Sequence, residues 1–169
     1  MRLSCGCPDT FPEWNNTDVN LGGWLVHEIR TLMFLHMPIA FEAYLQKQQQ
    51  DIERLELTAH WPGFVLSRSA MFRGSILCPL AEEHSPARHV RRLPRPFRLR
   101  VHLFEGDVGQ LRDGVRHMQS ALLDEGHIPR ELYLAYLTCP ACRDGRGGNK
   151  IMLLRRWEES LKLKKRIRR

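Results

Sequence analysis

The sequence predicts an α+β fold: two β-α-β-β repeats forming a largely antiparallel sheet with helices on one face, plus a zinc-knuckle-like hairpin. Three observations predict it. Strand-period and helix-period segments follow one another as strand–helix–strand–strand, then a linker, then the same order again. Val26-His27 in the first unit returns as Val101-His102 in the second, so the repetition is one of element order with little sequence identity. Near the end, the apolar runs Leu132–Leu137 and Ile151–Leu154 flank Cys139-Pro140-Ala141-Cys142 and the turn Arg143–Gly148. That is a hairpin whose tip carries two thiols at knuckle spacing.

Taken in order, residues 8–23 are rich in turn formers and read as an irregular arm anchored by Phe11 and Trp14. Trp24 to Ile29 is the first strand, and Leu32–Met37 continues extended or loops over the surface. Pro38 suits the first turn of a helix. Phe41, Tyr44, Leu45, Ile52 and Leu55 share one helical face, and Trp61-Pro62-Gly63 stops that helix. Phe64–Ser69 and Phe72–Cys78 read as strands, and 81–96, with its prolines, as a linker. In the next strand Leu99, Val101 and Leu103 share one face, and Arg98, Arg100 and His102 share the other. Asp107 is a good N-cap, Val108, Leu111, Val115, Met118 and Leu122 step along a helix, and Gly126 ends it. The domain organisation expected is an N-terminal arm over 1–23, a duplicated body over 24–157 and a basic tail over 158–169.

A chain of 169 residues, 43% hydrophobic and 27% charged, can bury a core. Five cysteines at close spacings favour metal-bound or free thiols in a reducing, cytoplasmic compartment. The first residues lack the apolar run of a signal peptide, and the most hydrophobic window, Trp24 to Tyr44, is broken by charges, so no membrane span is expected. The net charge of +7 gathers in the Arg88–Arg100 stretch and in the tail Lys162–Arg169. Both read as solvated surface; the alternative is a nucleic-acid or anionic-membrane contact, with nucleic acid met by the tail together with Arg91, Arg92, Arg95, Arg98 and Arg100.

The chemistry centres on cysteine. Zinc takes four thiolates tetrahedrally, and Cys5 and Cys7 form the other close pair in the chain. Cys5, Cys7, Cys139 and Cys142 are therefore the expected ligands of one structural Zn2+, against metal-free thiols or an iron–sulfur cluster. A hairpin rather than a helix follows Cys142, which argues against a redox pair. Cys78, alone in a strand, reads as a buried small hydrophobe. His27 and His102 read as satisfied strand histidines. Met33, His36 and Met37 suit copper by softness but fit a methionine-rich core edge better. No nucleophile elbow, phosphate loop or triad spacing is present.

The stretch Leu103–Asp107, the helix to Gly126-His127-Ile128-Pro129, and Glu131–Leu134 resemble the strand, helix and following strand of GyrI-like effector-binding domains. That resemblance covers roughly 24–157 and implies a groove, opposite the helices, for a small cationic or aromatic ligand. It implies an acidic residue among aromatics there, for which Glu131 beside Tyr133 is the candidate, with Glu28 on the first repeat. The expectation is a zinc-stabilised small-molecule-binding module. A hydrolase using the same groove, with Glu131 or Glu28 as base, and a nucleic-acid-associated protein are the alternatives.

Overall fold

The computed structural model describes residues 3–167. Met1, Arg2 and the last two tail residues, Arg168 and Arg169, lie outside the described residues. The first repeat holds β2 (Leu25–Phe34), α1 (Phe41–Arg54), β4 (Leu66–Arg68) and β5 (Arg73–Pro79); the second holds β7 (Arg98–Glu105), α2 (Leu111–Asp124), β8 (His127–Tyr136) and β9 (Lys150–Glu159). Three short strands, β1 (Asp18–Asn20), β3 (Met37–Pro38) and β6 (Val90–Arg92), and a terminal helix, α3 (Leu161–Ile167), complete the set.

The sheet runs β1-β7-β9-β8-β4-β5-β2-β3, with β6 paired to the outer part of β2, and every pairing is antiparallel. Within the repeats the strand orders are β4-β5-β2 and β8-β9-β7, so each element has its counterpart, and the halves join where β4 meets β8. The duplication is thus written in topology. The fold is α+β with a largely antiparallel sheet, and a cluster of four cysteines lies at one end of it.

Strand alternation sorts side chains into two layers. On one face α2 buries Met118 against Leu134, Ile151 and Leu153. On the same face α1 sets Ile52 on Leu25, Cys78 and Leu80, and its buried Gln48 donates to the backbone oxygens of His27 and Ile76. The other face carries the larger core, with Leu66, Leu77, Leu99, Val101, Tyr133 and Leu154 in it. The arm and the loop before β4 cover that core: Phe11 and Trp14 of the arm pack there with Trp24 and with Trp61 of the loop, Trp14 edge-on to Trp61 at 5.2 Å. The face opposite the helices, where the resemblance implied a groove, is therefore filled by this chain's own arm and loop.

The elements differ from expectation at the first helix. Pro38 pairs with Met33 across a hairpin instead of opening a helix. Leu35 and His36, both at positive φ, make the turn, the backbone twist that two-residue hairpins prefer. The helix starts at Phe41, after Ala40 at φ 52°, and ends before Glu56 at φ 53°. It therefore stops ahead of Trp61. The linker contributes β6, whose Val90 lies opposite His27. Asp107 caps as expected, accepting from the Gly109 N–H, and Gly126 closes α2 at φ 79°. In the tail, Leu161 and Ile167 stay exposed.

His27 departs from the satisfied histidine expected of a strand. It is 0% exposed, and neither ring nitrogen has a hydrogen-bond partner among the described residues. Burial lowers its pKa, against a small opposing pull from Asp51, so it is held neutral. His102 does find a partner, the Asn16 side chain at 3.0 Å.

Candidate metal centre and binding cavity

The hairpin between β8 and β9 presents Cys139 and Cys142 from one tight turn. The N–H groups of Cys142 and Arg143 both donate to the Cys139 carbonyl, at 3.1 and 2.9 Å. The turn curls the two thiols together at 3.9 Å. The arm forms a matching turn: the Leu3 N–H donates to the Cys7 carbonyl and the Gly6 N–H to that of Leu3, with Gly6 at φ 89° as glycine permits. Arg146 clamps the two loops together, donating to the carbonyls of Pro8 and Leu137, each at 2.9 Å. Sequence reasoning passed over this arginine, which looked like one more loop charge.

All four sulfurs lie within 4.8 Å of one another. Thiolates on one tetrahedral zinc stand about 3.8 Å apart, given bonds of about 2.3 Å, so the donor set fits a single four-thiolate ion. Burial pushes the Cys7 thiol well up, and the three neighbouring thiols push it further. For Cys139, burial acts upward but is outweighed by the N–H groups of Ala141 and Cys142 and by Cys7 and Cys5, which bring it down to about 7. One thiol of the set is thus poised to ionise near neutrality. Cys78 is apart from the cluster, buried, and pushed up to about 12 by burial with help from Glu82.

Beside this centre lies a cavity of about 910 Å³ on the helical side of the sheet. Leu111 and Val115 of α2 form one wall, Leu132, Leu134 and Ile151 form the floor, the turn residues Leu35–Met37 stand at the mouth, and Cys139 and Pro140 close one end. Charges ring it: Arg112, Arg130, Arg143 and Arg155 against a single carboxylate, Glu131. Cys5 lines a second, smaller cavity of about 450 Å³ under α1, so the cysteine centre stands between the two.

Of the three ligand residues expected from sequence, Glu131 alone lines the larger cavity, and its carboxylate accepts from Arg156 at 3.2 Å. Tyr133 points to the opposite layer and is 3% exposed, beside Phe97; burial raises its pKa to about 12, with Glu131 adding to the rise. Glu28 is paired with Arg91. Burial works to raise its pKa, but the Arg91 guanidinium bonded to it outweighs that and lowers it. At the cavity mouth His36 Nδ1 lies 3.0 Å from Ser69 Oγ. The two are far apart in sequence and match no motif spacing, so only the hairpin geometry reveals them.

The arginines of the 88–100 stretch are largely committed within the chain. Arg91 holds Glu28, Arg98 holds Glu159, and Arg100 holds both Asp18 and Glu125. The two carboxylates raise the Arg100 pKa. No helix among the described residues is long and apolar enough to cross a membrane.

Residues 2–157 match the profile of a family described as bacterial hydrolase. No curated protein matches the sequence. Among solved structures, the crystal structure of the EcmrR C-terminal domain aligns with a TM-score of 0.62 at 9% identity, over 85% of this chain and 97% of that one. At that identity the likeness carries the fold alone, and it supports the GyrI-like fold suggested by the element order.

Proposed function

The chain belongs to the bacterial hydrolase family, and we propose that it binds a small organic molecule in the 910 Å³ cavity, in a domain stapled by one structural zinc. The observation that carries this reading is the cavity itself: an apolar floor, a few convergent polar groups, and a volume suited to a drug-sized ligand. The GyrI-like effector-binding fold agrees with it. Cys5, Cys7, Cys139 and Cys142 would hold the zinc; a closed four-thiolate ion supplies folding energy and no open coordination position. The chain then divides into a body over 24–157, an arm over 1–23 that the metal ties down, and a basic tail over 158–169. A reducing compartment such as the cytoplasm suits five cysteines that form no disulfide. The pairing of Arg91, Arg98 and Arg100 with internal carboxylates weighs against a phosphate-binding surface there. Val115→Trp, which fills the cavity from α2, should abolish binding of the neutral dye N-phenyl-1-naphthylamine while the far-ultraviolet spectrum stays native. Undiminished dye binding by that variant would place the site elsewhere.

A second reading, that the bound molecule is hydrolysed, is favoured by the family and by one contact. In the tautomer with Nδ1 bare, His36 accepts the Ser69 proton as Oγ attacks an ester carbonyl. His36 then returns that proton to the departing alkoxide, and water, activated by the same imidazole, releases the acid and regenerates Ser69. The carboxylates of Glu131 and Glu28 are each engaged by an arginine, which competes with a role as base. Ser69→Ala should lower turnover of short p-nitrophenyl esters by about a hundredfold or more, with dye binding kept. An unchanged rate removes Ser69 from the chemistry.

A further inference from the structure

Arg155 is a half-buried cation of this cavity with no counter-charge among the described residues. It sits on β9, opposite Leu132 of β8 and Arg100 of β7, and lines the cavity beside the apolar floor. Its neighbours on these strands are matched: Arg100 has Asp18 and Glu125, and Arg156 has Glu131 and Glu158. Arg155 has no carboxylate within ion-pair distance among the described residues. Among the described residues its Nε is buried without a partner, and its one side-chain hydrogen bond is a long 3.5 Å one to Gln119 Oε1. Burial lowers its pKa, with Glu131 opposing from a distance, yet a guanidinium stays charged in proteins. A half-buried cation short of hydrogen bonds carries a desolvation penalty that a ligand can relieve.

We infer that the cavity takes an amphipathic organic anion, its carboxylate on the Arg155 guanidinium and its apolar body along Leu111, Val115, Leu132, Leu134 and Ile151. This rests on the reading of the cavity as a binding site. The fork of N–H donors matches a carboxylate in planar, bidentate fashion. The rim agrees: Arg112 brings a positive charge with no ion-pair partner among the described residues, Arg130 and Arg143 bring charges shared with Glu158 and Asp144, and the one acidic residue of the lining, Glu131, is already held by Arg156. A cationic ligand, expected from the family resemblance, would meet four arginines there. The floor offers no hydrogen-bonding side chain from Leu132, Leu134 or Ile151, which sets the rest of the ligand as hydrocarbon or aromatic.

The test uses the full chain and two competitors of equal length. Decanoate and decan-1-ol each displace N-phenyl-1-naphthylamine from the cavity, read by loss of dye fluorescence. Decanoate should compete about tenfold or more better than decanol, the factor that a charge-assisted bond provides. In Arg155→Gln that advantage should collapse to within about twofold, with dye binding retained; Arg155→Lys should keep an intermediate advantage. Equal competition by acid and alcohol in the native chain overturns the inference while leaving the cavity reading standing, and so does an undiminished decanoate advantage in Arg155→Gln. Failure of the dye to bind at all overturns both. If Arg155→Gln loses its native fold, the comparison of acid with alcohol on the native chain and on Arg155→Lys decides alone.

Discussion

Purified protein carries about one zinc per chain, and Cys5→Ser and Cys142→Ser each lose most of it: that is the expected result of a metal assay on the three proteins. Cys5 belongs to the arm and Cys142 to the β8–β9 hairpin, and their sulfurs meet in one cluster. Loss from both variants is the signature of one shared ion. Two separate sites, or a metal held by the hairpin alone, would leave the Cys5→Ser protein loaded. Full retention there sinks the closure of arm on hairpin.

The effect on stability should be large. Structural zinc contributes on the order of 10 kcal/mol to small domains at neutral pH. Each substitution should therefore lower Tm by about 10 °C or more, and a chelator should bring the native chain to the same value. At its cysteine-bearing end the arm is clamped by Arg146; farther along, the three-residue strand β1, the Asp18–Arg100 ion pair and the aromatic contacts of Phe11 and Trp14 hold it on the body. Cys78→Ala is the matched control, because that thiol lies in β5 under α1, outside the cluster. It should cost about 1 kcal/mol of packing and retain the metal.

What the sequence disclosed here followed from periodicity and spacing. The alternation of Leu99, Val101 and Leu103, the helical spacing of Leu111, Val115, Met118 and Leu122, and the Asp107 cap are local signals, and they lie where local rules put them. The two cysteine pairs were legible because zinc fixes the number and kind of ligand before any fold is known. The cavity was not legible. The resemblance placed a groove opposite the helices, but the arm's Trp14 and the loop's Trp61 fill that side. Nothing in their local sequence says which face of a distant sheet they will cover. Tyr133 shows the same limit: alternation sends it to the layer opposite Leu132 and Leu134, away from the cavity. His36 and Ser69 meet because a hairpin turn crosses to the end of β4, and Arg155 is conspicuous because its neighbours are paired and it is not. Those are properties of tertiary arrangement, invisible to spacing in one chain.

Gly63→Ala should loosen the metal without touching a ligand. Gly63 follows Trp61-Pro62 in a turn closed by the Phe64 N–H donating to the Trp61 carbonyl at 3.0 Å. It has φ 86°, where an L side chain is strained. A Cβ there would sit 2.9 Å from the Pro8 nitrogen, 3.0 Å from the Gly6 oxygen and 3.0 Å from the Pro8 Cα. All three are backbone atoms of the segment that carries Cys5 and Cys7, so no side chain can swing away to make room. The strain alone costs about 1 kcal/mol, and relieving the contacts requires moving the arm, which carries two of the four sulfurs away from Cys139 and Cys142. The expected result is a Tm lowered by several degrees and release of zinc to a chromogenic chelator at least about tenfold faster than from the native chain, the factor that a loss near 1.4 kcal/mol of metal binding gives. Gly145→Ala is the control inside the cysteine hairpin itself: a Cβ there meets nothing within 4 Å. That variant should keep both the native Tm and the native release rate. Native-rate release from Gly63→Ala would show that the arm bends freely at this contact and that the turn before β4 has no part in holding the metal.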